Sequence, residues 1–130
     1  MVESSWNDIT ESIIGAAIAV HRQLGPGLLE STYEACPAFE LADRGLSIER
    51  QKDLPVIYVR VRVDCGYRID LLVAKKVVVE LKSVEHLAPI HEAQLLSYLK
   101  LSGHKVGLLI NFNVTILKSG VKRIVNKLED

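Results

Sequence analysis

A β-branched run that ends in charge, Val77-Val78-Val79-Glu80-Leu81-Lys82, sets the architecture of this chain. Successive strand residues point to opposite faces. A strand that is apolar on both faces must be covered on both sides, which is the habit of a central strand in an α/β sandwich. Val106 to Phe112 is a second such run. One uncovered hairpin cannot bury either of them.

The flanking stretches supply the cover. Ile9, Ile13, Ala17, Val20 and Leu24 recur at helical spacing, which predicts an amphipathic helix with Asn7, Asp8 or Thr10 as its cap. Gly25-Pro26-Gly27 ends it. A second helix is expected from Leu28 to Arg44, kinked or broken at Pro37 and stopped at Gly45. The period then changes to two, predicting strands over Leu46–Gln51, Val56–Val63 and Tyr67–Val73. Pro89 opens a third helix that runs to Leu101 before Gly103. Ile116 to Val125, with its Lys118-Ser119-Gly120 turn, reads as a last strand or hairpin. The order predicts an α/β fold with a mixed central sheet flanked by helices, and 130 residues suit one domain over 1–130.

Charge and cysteine content narrow the function. Sixteen basic residues balance sixteen acidic ones, which argues against coating nucleic acid by charge alone. Cys36 and Cys65 have no metal-binding spacing and read as reduced thiols of a cytoplasmic protein. Met1 to Asp8 carries no basic stretch before an apolar run, so no signal peptide is expected, and no apolar run is long enough for a bilayer.

The chemistry-bearing residues fall on the strands. Glu80 and Lys82 share a face. If the chain forms a hairpin about Lys75, residues whose numbers sum to 150 lie opposite, which sets Asp70 against Glu80. Opposed carboxylates repel, and Mg²⁺ or Mn²⁺ turns that repulsion into attraction because hard cations take oxygen ligands. Lys82 beside them suits a phosphate oxygen or an activated water. Glu30, in the first turn of the second helix, is either an acid favoured by the helix dipole or a third carboxylate for the metal. Gln94 and Tyr98, four apart on the third helix, are either a polar stripe or contacts to substrate. His21 near the end of the first helix either answers the dipole or lines the cleft.

These residues resemble a known signature. Asp70 with Glu80-Leu81-Lys82 resembles the D…(D/E)-x-K pattern of the PD-(D/E)XK nuclease superfamily. Gly27-x-x-Glu30-x-x-Tyr33 resembles the naming motif of its GxxExxY protein family. The likeness extends through Ile14-Gly15-Ala16-Ala17, Pro89 to Leu99 and Val106 to Phe112. It implies a restriction-endonuclease-like αβββαβ core and metal-dependent phosphodiester cleavage of nucleic acid, with DNA the expected substrate. It also implies Glu30, Asp70, Glu80 and Lys82 as catalytic residues, and Asp70, Glu80, the Leu81 carbonyl and Glu30 as holders of Mg²⁺ or Mn²⁺. Gln94 and Tyr98 match a helix pair that contacts substrate in RecB-like nucleases, and His21 joins them here as a substrate-binding residue. Arg60, Arg62, Arg68, Lys118, Lys122, Arg123 and Lys127 are expected either on flanking phosphates or simply in solvent. Cys36-Pro37 departs from the family, which continues a helix there, and is expected to shift the second helix relative to Glu30. A homodimer or a partner protein fits a one-site chain that cuts a duplex. The alternative is a non-enzymatic binding or accessory module on the same fold, because a fold does not fix an activity.

Overall fold

The computed structural model describes residues 5–127; the remainder of the Met1–Asp8 stretch, Met1–Ser4, lies outside them. Helix α1 (Trp6–Leu24) is followed by α2 (Glu30–Asp43). Then come β1 (Ile48–Asp53), β2 (Val56–Tyr58), β3 (Val61–Val63), β4 (Arg68–Val73) and β5 (Val77–Lys82). Helix α3 (Pro89–Ser102) leads to β6 (Val106–Asn111), a 3-10 turn at Leu117–Gly120 and β7 (Val121–Val125). The central sheet has the order β1-β4-β5-β6-β7. Its β5–β6 pair is parallel and the rest are antiparallel, so the mixed sheet of a restriction-endonuclease-like α/β fold is observed.

Alternation along the central strands builds two cores. Leu71, Val73, Val77, Val79 and Leu81 pack under α1 and α2, against Ile13, Ala17, Tyr33 and Leu41. Leu72, Val78 and Leu109 pack on the other face, against Leu95 and Leu99 of α3. Strand β5 is therefore covered on both sides, as its composition requires.

Several local expectations are corrected. The α1 cap is Ser5, whose hydroxyl accepts the Asp8 N–H, because Ser5 has the extended backbone a cap needs. Helix α2 runs unbroken through Pro37. Proline removes one ladder bond at a cost of about 3 kcal/mol, but Tyr33, Pro37 and Leu41 form one buried stripe that holds the helix to the sheet. Val56–Val63 is not one strand. It folds back at Val59-Arg60 into the β2–β3 hairpin, with Val56 opposite Val63 and Tyr58 opposite Val61. Val59 has a φ of 58°, costly for a β-branched residue. The hairpin stands off the main sheet with Ile57, Tyr58, Val59 and Val61 exposed.

Candidate active site

The expected hairpin register holds. Val73 lies opposite Val77, Leu72 opposite Val78 and Leu71 opposite Val79. The regular pairing stops there, and side chains take over. The Asp70 N–H donates to the Glu80 carboxylate at 2.9 Å, and the Leu81 N–H donates to the Asp70 carboxylate at 2.9 Å. Each acid thus reaches the backbone of the other strand, which brings the two together.

Strict alternation fails at this point. Ile69 and Leu72, three apart, both pack on the α3 side. Asp70 opens instead into a cavity of about 360 Å³ with Glu30, Ser31, Glu34, Gln51 and Leu81. Strand β1 is irregular at the same level. Its pairing with β4 keeps one register from Arg50↔Leu71 to Lys52↔Ile69, and Gln51 between them, opposite Asp70, has a left-handed φ of 50°. A single-face placement of Asp70 and Glu80, which regular strands would give, is thereby modified.

Electrostatics mark the pair. Burial, and then the charge of Asp70, push the Glu80 carboxyl from 4.5 up to about 8. Glu80 is only 5 % exposed. Burial also raises Asp70, with Glu34 adding to the rise and the Leu81 N–H opposing it. Lys82 lies near enough to both acids for its charge to favour their ionised forms. Among the described residues the Lys82 ammonium makes no direct hydrogen bond or ion pair, so its donors remain available.

The Gly27–Tyr33 segment is explained by packing. The Tyr33 hydroxyl donates to the Gly25 carbonyl at 2.6 Å and accepts the Leu28 N–H at 3.1 Å. Its ring stacks on Phe112 with centroids 4.5 Å apart. Gly25 and Gly27 have φ of 72° and 93°, conformations that glycine adopts without strain. Ser83, just past β5, ties the same loop down. Its hydroxyl donates to the Leu28 carbonyl at 2.7 Å, and its N–H donates to Glu30 at 3.3 Å. Glu30 therefore lines the cavity with its carboxylate held by Ser83. Among the described residues no three His, Cys, Asp or Glu side chains are grouped to hold a metal between them, so Asp70 and Glu80 stand as a pair.

Two residues of the site are not evident from sequence. Glu34, one turn after Glu30, ion-pairs with Arg50 at 3.0 Å and accepts from the Gln51 amide. Gln51 also donates to Asp70 at 3.3 Å. The i,i+4 acids Glu30 and Glu34 on one helix face were the available signal, since such a pair is unfavourable without a cation.

The other expected site residues divide. Gln94 donates to the Tyr98 hydroxyl at 3.3 Å, and Tyr98 lies close enough to Glu80 and Asp70 for their charges, after burial, to raise its phenol. His21 is not brought to this place. Its Nε2 meets the Val114 carbonyl at 2.8 Å, and it lines a separate cavity with Arg22 and Lys118. Three of the basic residues expected on phosphates are engaged within the chain: Arg62 with Asp64, Arg68 with Asp53 and Lys122 with Glu92.

An acid pair and a free lysine at the splayed end of a central hairpin, on a restriction-endonuclease-like fold, define a nuclease-like class of protein. A model of the PD-(D/E)XK nuclease superfamily matches residues 7–124, and the chain belongs to that superfamily. Searches of curated proteins and of solved structures gave no significant match. Membership implies a nucleic-acid substrate, and nucleases of this superfamily generally use divalent metal ions. No described helix is long and apolar enough to cross a membrane.

Proposed function

We propose that this protein is a metal-dependent nuclease that hydrolyses phosphodiester bonds, DNA being the first substrate to test, and that residues 1–130 work as one domain. The observation that carries the reading is the Asp70–Glu80 pair. A buried Glu80 whose proton affinity is raised by burial and by the charge of a half-buried Asp70, with Lys82 beside them, is a poor way to stabilise a fold and a good way to attract a cation.

The donor set fits Mg²⁺ or Mn²⁺. Two carboxylates and the Leu81 carbonyl are hard oxygen ligands. They would hold the ion, which when bound polarises the phosphate and lowers the pKa of a water. Lys82 binds a phosphate oxygen and offsets the charge that grows on it. Glu30, anchored by Ser83, adds negative charge to the cavity onto which Asp70 opens, and would join the ion only by leaving the position it holds here. Gln51 and Arg50 fix Glu34 and Asp70 in place. Gln94 and Tyr98 position the substrate. His21 acts at most from outside, by bracing Phe112 and the Val114 loop. Within the superfamily we place the chain among GxxExxY proteins. The Gly27, Glu30 and Tyr33 contacts support that placing, because each motif residue has a separate task in the loop that meets β5. Cutting both strands of a duplex with one such centre per chain requires a second copy or a partner protein; cutting a single strand does not.

The second reading is a binding or accessory module, favoured by the lack of a three-ligand group among the described residues. Purified protein incubated with DNA and RNA in Mg²⁺ or Mn²⁺, beside Lys82→Ala and a chelated control, decides. The nuclease reading expects cleavage that both controls abolish. Nucleic-acid binding that survives both controls, with no cleavage, overturns it in favour of the module.

A further inference from the structure

A second cavity, lined by the Tyr98 that senses the charges of Glu80 and Asp70, has the opposite chemistry. It measures about 500 Å³ and lies between the base of the β2–β3 hairpin and α3. Val56, Tyr67, Ile90 and Tyr98 give it apolar and aromatic walls. None of its lining residues is acidic, and none is lysine or arginine. The Tyr67 and Tyr98 rings meet edge to face, 6.1 Å apart at 61°. Tyr67 is 45 % exposed, so much of its ring is open to a ligand.

Hydrogen-bonding atoms stand free at the edge. The Gln94 amide spends one donor on Tyr98 and leaves its oxygen without a partner among the described residues. His91 takes the Ala88 N–H on Nδ1, which leaves Nε2 for a ligand. An uncharged, flat, partly aromatic ring with polar edges matches these walls; a phosphate or a metal does not.

We infer that this cavity receives one unpaired nucleobase, stacked on Tyr67 and read at its edge by Gln94 and His91, so that the substrate is single-stranded or locally unpaired. A base in a duplex is stacked on both faces and paired, and must be flipped out before it can enter. The placing of the adjoining phosphate at Lys82 rests on the nuclease reading; the base slot itself does not. Stacking of bases on exposed aromatic rings is the general means of holding single strands.

The test measures fluorescence anisotropy of a labelled oligothymidylate, alone and annealed to its complement, with the full chain in Ca²⁺. Wild type is expected to prefer the single strand. Tyr67→Ala is expected to weaken single-strand binding roughly fivefold or more, with duplex binding unchanged, and Tyr67→Phe to retain the wild-type affinity. Equal or tighter duplex binding, no loss in Tyr67→Ala, or no binding to either form overturns the inference. Cleavage assays in Mg²⁺ separate the two claims. A wild type that cuts nucleic acid regardless of strandedness sinks the base slot and keeps the nuclease. A wild type that cuts nothing, yet binds single strands through Tyr67, does the reverse.

Discussion

Burial and the Asp70 charge hold the Glu80 carboxyl near 8, well above its value in an unfolded chain, so at neutral pH the metal-free protein keeps a proton there. The folded state then binds more protons than the unfolded state between about pH 4.5 and 8. The stability tied to that proton is complete below the unfolded value and is lost as pH rises through the folded one. Metal-free protein should therefore lose stability on the order of a few kcal/mol between pH 6 and pH 9, and melt at lower temperature at pH 9. Glu80→Gln carries no such proton. Its melting temperature should stay level over the same range and exceed that of wild type at the alkaline end, which thermal melts in chelator would check. Lys82→Ala removes a donor without opening a core cavity, because Lys82 is only half-buried. It should cut turnover by about 10²–10³-fold while leaving the urea midpoint nearly unchanged.

Elements explain what the sequence reveals and what it hides. Strand β5 and both ends of α3 were legible because local composition decides them: a β-branched run, a proline at the first helical turn and Gly103 in a left-handed conformation. That Asp70 and Glu80 meet was legible because a tight hairpin fixes the register as far as Leu71 and Val79, the residues beside them. The turn of Asp70 away from regular alternation was not, since it goes with an irregular Gln51 on a strand nineteen residues earlier that bonds to it. Glu34 and Tyr67 were missed for the same reason: tertiary packing, not spacing, carries them to the two cavities. Pro37 misled because the breaking rule treats a helix alone, whereas Tyr33, Pro37 and Leu41 are jointly buried. Tyr33 also ties α2 to the loop before it. Tyr33→Phe keeps the Phe112 stack but strands the Gly25 carbonyl and the Leu28 N–H. It should lower stability by about 1–3 kcal/mol, read from urea denaturation.

Across the whole molecule the formal net charge is zero, and Arg62, Arg68 and Lys122, three of the cations expected on phosphates, are paired with acids of the same chain. Binding to single strands should therefore depend weakly on salt, with a log–log slope shallower than about −3, since each phosphate contact contributes roughly −0.7. The account predicts that affinity comes instead from the ion and the base. Its central claim is that Asp70 and Glu80 together form a divalent-cation site on this fold. Calorimetric titration of metal-free protein with Mn²⁺ near pH 7, in buffers of different ionisation enthalpy, tests that claim most directly. One ion should bind with release of a proton, because Glu80 must ionise to take it, and both Asp70→Asn and Glu80→Gln should abolish the binding. Binding that persists unchanged in both variants, or a wild type that takes up no ion at millimolar Mn²⁺, would contradict the account.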